Sequence, residues 1–350
     1  MHCPALKDVP PPPSNKRGWP WTEESRQLPE SMPNPNPWPK LSIVTPSYNQ
    51  GKFIEETIRS VLLQGYPDLE YIIIDGGSTD DSIDIIRKYE PWLSYWVSEK
   101  DQGQSDAINK GWKRASGEIV AYLNSDDLYI AGVLREVTGL FKEYPECGVL
   151  HGQTVVVDEE GREKSIFGGP FELTASVDGC NNSVAQPSAF IRRKALLDVG
   201  LMDINLHRAM DYDLWLRLRV KYPFHYVPRR WSKFRCHPKS KSAGRIPLRS
   251  DSLAIIKKLY STDGLPKEIL DLKNRALAWA NLFEAQMYTV MNRPVRARWH
   301  ALVALTFNRE VCLKSGRGLF VQTLLNEALW FRMRKISQWI KRSSSSFLAR

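Results

Sequence analysis

Ile119-Val120-Ala121-Tyr122-Leu123-Asn124-Ser125-Asp126-Asp127 decides the fold: an apolar run followed at once by two adjacent acids. A strand that delivers neighbouring carboxylates to its carboxyl end concentrates negative charge. A hard divalent cation with oxygen ligands is the usual way to neutralise it. Two further acidic sites lie on either side in the sequence. Asp75 ends the apolar run Tyr71-Ile72-Ile73-Ile74, and Asp211 and Asp213 open the helical stretch Met210-Asp211-Tyr212-Asp213-Leu214-Trp215. Together they point to a metal-dependent enzyme that handles a nucleotide diphosphate.

Working outward, short apolar runs alternate with segments of helical spacing. Leu41 to Thr45 reads as a strand, and Ile54, Ile58, Val61 and Leu62 as one face of a helix. Tyr71 to Asp75 is the next strand. Ser78 followed by Asp81 has the look of a capping box before a helix through Ile83, Ile86 and Tyr89. Tyr95 to Val97 is a third strand, Asp106 to Ala115 a helix and Ile119 to Leu123 a fourth strand. Such alternation predicts βαβ units in an α/β fold, with a doubly wound, mostly parallel sheet. Ligands in such sheets bind beyond the carboxyl ends of the strands, where Thr45–Asn49, Asp75–Ser78 and Asn124–Asp127 all fall. After a helix over 131–144, residues 148–158 and 161–167 predict a hairpin. Val184–Ile191 predicts a strand, 211–221 a helix, and 224–227 and 232–235 two further β segments.

Flanking regions differ in style. Residues 1–39 carry Pro10-Pro11-Pro12-Pro13 and Pro33-Asn34-Pro35-Asn36-Pro37 and predict an extended arm without its own core, with Trp19, Trp21 and Trp38 available for docking. A catalytic domain is expected over 40–244 and a basic helical extension over 245–350. Of the net charge of +10, residues 241–350 supply +13, from 20 Lys and Arg against 7 Asp and Glu. Nucleic acid or an anionic membrane suits such a segment in principle. Leu325, Leu329, Met333, Ile336 and Ile340 form one face of a C-terminal helix, interleaved with Arg332, Arg334, Lys335, Lys341 and Arg342. That face either packs on the catalytic domain or lies in the headgroup plane of a membrane. Five scattered cysteines without a CxxC spacing favour a reducing compartment and argue against a zinc site. With no signal-peptide core and no run of about 18 apolar residues, the expectation is a cytoplasmic protein, peripheral at the inner face of the membrane.

Each candidate residue has a plain alternative. Asp75 either accepts a hydrogen bond from a base or sugar, or only stabilises the Gly76-Gly77 bend. One of Asp126 and Asp127 would suffice to cap a helix, but the pair suits a cation bridging two phosphates. Asp211 and Asp213 both favour a helix start. Residues two apart point in different directions, so only one faces a cleft, and Asp211 is the choice for a general base. His237, before Pro238-Lys239-Ser240-Lys241, is either structural or a metal or diphosphate contact. Gln186-Pro187-Ser188 either lines an acceptor pocket or turns the chain.

Residues 41–240 resemble the inverting family-2 glycosyltransferases of GT-A fold that build bacterial polysaccharides and cell envelopes. The resemblance rests on Thr45-Pro46-Ser47-Tyr48-Asn49, Ile74-Asp75-Gly76-Gly77-Ser78-Thr79-Asp80, the run from Asp101 through Gly111, Leu123-Asn124-Ser125-Asp126-Asp127 and Asp211-Tyr212-Asp213-Leu214-Trp215. It implies that Pro46, Tyr48 and Asp75 hold a base, usually uracil, within a donor-binding set that includes Thr45, Ser78, Ser125 and Asp126. It also implies a Mg2+ or Mn2+ ion on Asp126 or Asp127 with His237 beside the diphosphate, and Asp211 as catalytic base. Gln186 and Asp213 complete the set as candidate acceptor contacts, for a glycan or lipid-linked hydroxyl. Two positions depart from the family: Asp106 stands where many members have Arg, and Met210 where an acid commonly precedes the base. A catalytically silent scaffold of the same fold and a sugar-1-phosphate nucleotidyltransferase are the alternatives. The latter wants a Gly-rich basic loop after the first strand, and Thr45–Lys52 is poor in both. No nucleic-acid partner is expected.

Overall fold

β1 (Leu41–Ser47) is buried along its whole length and takes β2 (Leu69–Asp75) on one side and β4 (Ile119–Tyr122) on the other, both parallel. β3 (Tyr95–Ser98) continues the parallel set beyond β2. Strands covered on both faces read as continuous apolar runs, which is why Ile72-Ile73-Ile74 and Ile119-Val120-Ala121 were legible. The crossovers are α1 (Ile54–Leu62), α2 (Ser82–Lys88) and α3 (Gln104–Arg114). Register aligns Ser47 with Asp75 and Asp75 with Ser98, so β1 to β3 end at one level and their loops open onto a common shelf.

The structure is a computed structural model and describes residues 3–30, 37–241, 251–315 and 317–324. β5 (Leu128–Tyr129), α4 (Val133–Glu143), β6 (Val149–Val157), β7 (Glu163–Phe167) and α5 (Leu173–Gly179) follow. Then come β8 (Ala189–Arg192), α6 (Arg193–Val199), α7 (Met210–Lys221) and β9 (Phe224–Arg235). The strand order is β3-β2-β1-β4-β8-β6-β9-β5, with β7 paired to β6 off that path. β8 enters antiparallel to β4, while β9 runs parallel to β6.

Three local expectations change. Pro187 starts a 3₁₀ turn over Gln186–Ser188, so β8 is shorter than the apolar run from Val184. The two β segments at 224–227 and 232–235 are one twelve-residue strand. Pro228, which has no amide to donate, sits where the β6–β9 register slips between Tyr226 and Arg230. Ser78 does not cap α2; its hydroxyl bonds Asp75 and accepts from the Asn49 amide, while Asp80 Oδ1 holds the Ser82 amide and hydroxyl at the helix start.

Nor is the N-terminal arm a free linker. Cys3, Val9 and Trp38 are buried in the main core, with Leu6, Trp19 and Leu28 packed against it. Arg59 of α1 is wholly buried, and its guanidinium donates to the carbonyls of Pro10, Pro20 and Trp21 and to the Tyr89 hydroxyl. These four hydrogen bonds offset the desolvation of the buried cation, and each carbonyl deprived of its donor would carry its own desolvation penalty.

The described residues fall into two compact units: those of Met1–Leu173 with Asn182–Ala243, and those of Thr174–Asn181 with Gly244–Arg350. The second contains α8 (Ser252–Leu259), α9 (Lys267–Asp271), α10 (Lys273–Val290), α11 (Pro294–Phe307) and α12 (Arg317–Leu324). Its core is small-residue packing: Ala278, Leu282 and Ala285 of α10 with Ala301 and Ala304 of α11, closed by Val311, Cys312 and Phe320. The helix expected over 325–340 lies outside the described residues. No helix among the described residues is long and apolar enough to cross a membrane.

Candidate active site

A cleft of about 700 Å³ opens in the first unit at the carboxyl ends of the parallel strands. Pro46, Ser47 and Tyr48 leave β1 along one wall, and Tyr48 is 61% exposed. Gly76 and Gly77 lie beside the 100–105 loop, and Asn124, Ser125 and Asp126 form the facing wall. Gly77 holds φ at +82°, a conformation that favours glycine, and a Cβ on Gly76 would sit 2.7 Å from the Asp101 carboxylate and displace it.

Two donor-site expectations meet other partners. Thr45 points into the core, its hydroxyl 3.0 Å from that of Tyr71, and does not reach the cleft. Asp75 is wholly buried; Oδ1 accepts from the amides of Gly77 and Ser78 and from the Ser98 hydroxyl, and Oδ2 from the Ser78 hydroxyl. These bonds hold the Gly76–Gly77 turn, and neither Asp75 nor Ser78 lines the cleft. Of the expected donor-binding residues, Pro46, Tyr48, Ser125 and Asp126 line the cleft.

The adjacent acids diverge. Asp126 lines the cleft with its Oδ2 3.0 Å from His237 Nε2, and the imidazole packs 4.8 Å from the Phe53 ring. Asp127 turns inward and is wholly buried, accepting from the Arg235 amide (2.9 Å) and from Asn124 Nδ2 (3.2 Å). Burial, with the Asp126 charge beside it, pushes the Asp127 carboxyl well above the usual range and favours its neutral form. The charge concentration is thus relieved partly by keeping one acid inside: Asp127 turns away from the cleft, while Asp126 lines it beside His237. Among the described residues no three His, Cys, Asp or Glu side chains form a metal cage. One carboxylate with phosphate oxygens is a donor set that Mg2+ or Mn2+ accepts, and the neighbouring imidazole adds a ligand better matched to a transition ion than to Mg2+.

Arg235, at the end of β9, was not legible as a site residue. Its buried guanidinium donates to the carbonyls of Asp126 and Glu159 and to Glu56, over the Phe53 ring. A lone basic residue at a strand end reads as solvated; only the fold reveals that it fixes the Asp126 loop. Lys100, His207, Lys239 and Lys241 stand around the cleft. The 204–209 loop is clasped to the 239–241 turn, with Lys241 Nζ on the His207 carbonyl and Arg208 on that of Lys241. Nothing in the sequence marked that loop. Asp106, the departure on α3, accepts from the Gln102 amide and lies 3.5 Å from Lys110.

The two candidate acceptor contacts both have partners within the protein. Gln186 accepts from Asn124 Nδ2 and donates to the Tyr122 carbonyl, so it braces the acidic loop. Asp213 is 2% exposed and paired at 2.9 Å with Arg217, which also holds the carbonyls of Val199, Gly200 and Leu201. Asp213→Asn is therefore expected to lower stability by about 1–3 kcal/mol, read as a fall in Tm, while the folded enzyme keeps its kcat. A specific loss of kcat would return Asp213 to the site. Asp211 differs. Half-buried in the first turn of α7, it accepts from the Tyr212 amide and from Asn182 Nδ2. Burial raises its pKa to about 6, against those hydrogen bonds and the Lys241 charge.

Residues 42–200 match the sequence profile of the family described as Glycosyl transferase family 2. The chain is 44% identical over 186 residues to the putative teichuronic acid biosynthesis glycosyltransferase TuaG of Bacillus subtilis, covering 52% of this chain and 73% of that protein. Against glycosyltransferase alr2836 of Nostoc sp. it is 33% identical over 130 residues, 36% of this chain, and spans only 39% of that protein. S. aureus TarS 1–349 in complex with UDP-GlcNAc superposes with a TM-score of 0.54 at 19% identity, over 82% of both chains. The Pyrobaculum calidifontis mannosyltransferase PcManGT in complex with GDP-Man and Mn2+ gives a TM-score of 0.55 at 18% identity, over 86% of this chain and 88% of that one. At such identities the solved structures speak to the fold, and they share this α/β architecture. From its match to TuaG and the family profile, the chain belongs to glycosyl transferase family 2.

Proposed function

We propose that this chain transfers a sugar, with inversion, from a nucleoside diphosphate donor, UDP-sugars first, to a hydroxyl of a glycan or lipid-linked acceptor in bacterial cell-envelope synthesis. Mg2+ or Mn2+ is the proposed cofactor. The observation that carries the reading is Asp126, backed at 3.0 Å by buried His237, on the wall of a cleft that also holds exposed Tyr48 and three lysines. Family membership, the TuaG name and the nucleotide-sugar ligands named for TarS and PcManGT support it.

In this reading Asp126 and His237 hold the cation, which when bound neutralises the departing diphosphate. Tyr48 and Pro46 offer a flat, half-apolar wall to a base. Lys100, Lys239 and Lys241 meet the phosphate charge, and such fixed charges at a cleft stabilise a leaving group as it forms. Asp211 accepts the acceptor proton as the hydroxyl attacks the face opposite the diphosphate. Gln186 and Arg235 hold the acidic loop in place. The nucleotidyltransferase alternative gains nothing from the structure: Thr45–Lys52 supplies one glycine, Gly51, and the Lys52 ammonium is paired with Glu159.

A donor screen by nucleotide release, with and without Mn2+, tests the reading; silence across UDP-, GDP- and dTDP-sugars with glycan and lipid-linked acceptors would refute it. The raised pKa of Asp211 adds a second test. A base works only when ionised, so kcat/KM is expected to fall tenfold per pH unit below about 6 and to level off above it. A limb near the ordinary carboxylate value of about 4 would contradict the burial seen here.

A further inference from the structure

α11 is built inside out. Its inward stripe is small, with Ala297, Ala301 and Ala304 all buried. Its outward stripe is bulky and apolar: Val295 is 80% exposed, Trp299 59% and Leu302 55%. These three recur at four- and three-residue spacing and therefore share one face. A helix on the surface of a soluble unit ordinarily shows the reverse, with large apolar groups inward and polar groups outward. Val290 and Met291, also exposed, flank the helix where α10 hands over to it. The charged residues of α11 are Arg296 and Arg298, both exposed, and exposed Arg293 and Arg309 stand just beyond its ends; the helix carries no acid. An apolar stripe with a Trp and arginines at its borders, in a helix too short and too charged to span, has the chemistry of an element that lies in a lipid interface. The long arginine side chains reach toward headgroups while their stems cover apolar surface.

We infer that the Val295–Trp299–Leu302 face of α11 docks on an anionic phospholipid bilayer. Charge selects this occupant. Two copies of the chain meeting through this face would bring their Arg293, Arg296 and Arg298 together, whereas an anionic headgroup layer complements them. The net charge of +13 over residues 241–350 acts in the same sense at longer range. The inference goes beyond the proposed reaction and stands or falls separately from it.

Sedimentation of the full chain with vesicles tests it, using neutral phosphatidylcholine and the same lipid with about a third phosphatidylglycerol. Binding is expected to the anionic vesicles only and to weaken with salt. The variant V295S/W299S/L302S is expected to bind at least ~10-fold more weakly, because it removes the apolar contact. R296Q/R298Q is expected to weaken the preference for anionic lipid, the remaining basic residues keeping part of it. All five positions are solvent-exposed, so circular dichroism and donor turnover should stay at the unsubstituted level, separating lost docking from lost fold. Equal binding by the serine variant would overturn the inference and move the contact elsewhere in the basic third. A wild-type dimer that the serine variant converts to monomer would overturn it too, by making the face an interface between copies.

Discussion

Asp211→Asn is expected to leave donor binding intact and to lower kcat by at least ~10²-fold, the ordinary scale for loss of a general base. The substitution preserves shape, and its one oxygen can still accept from the Tyr212 amide at the cost of the bond from Asn182 Nδ2, so the helix start should survive. What disappears is the proton acceptor. Titration of nucleotide donor by calorimetry should give an unchanged Kd, while steady-state turnover collapses and the acid limb near pH 6 vanishes with it. If kcat stays within a few-fold of the parent, the base lies elsewhere, and a loss of donor affinity would make Asp211 a binding group instead.

The second large effect belongs to the cation. EDTA is expected to abolish turnover, and Mn2+ or Mg2+ to restore it. Asp126→Ala removes the carboxylate of the only cleft-facing member of the acid pair and should cost about 10³-fold in kcat/KM, since a bound cation contributes several kcal/mol to a developing diphosphate charge. Asp127→Asn makes the informative contrast. Its side chain faces inward onto the Arg235 amide and Asn124 and already favours the neutral form, so an isosteric neutral group should retain most activity. Undiminished turnover in EDTA would sink the metal assignment; equal losses in the two variants would sink the division of labour between these neighbours.

How much of this was legible follows from which signals are local. Buried parallel strands announce themselves as apolar runs, so the sheet from β1 to β4 and its crossovers could be read within a few residues of their ends. Motif residues at the strand ends pointed to the right cleft for the same reason: topology alone brings those ends together. Side-chain direction was beyond reach. Thr45 and Asp75 sit in the right loops but face the core and the turn, and the choice between Asp126 and Asp127 depends on how the chain leaves β4. Helix periodicity does turn the two acids of α7 different ways, Asp213 onto Arg217 and Asp211 onto Asn182. Gln186 and Arg235 show the other limit. Their work is to brace a loop from 62 and 109 residues away in sequence, and no local pattern encodes such a partnership.

The recruitment of the N-terminal arm by Arg59 separates ancestry from foldability. The stretch shared with the family begins at Ser42, yet a cation at the heart of its first helix is satisfied by carbonyls from Pro10, Pro20 and Trp21. Grafting that stretch onto a relative, or excising it for expression at the point where recognisable similarity starts, would strand a positive charge in an apolar interior. The stretch that matches the family is here shorter than the stretch that packs as one core, and the proline-rich lead-in belongs to the latter.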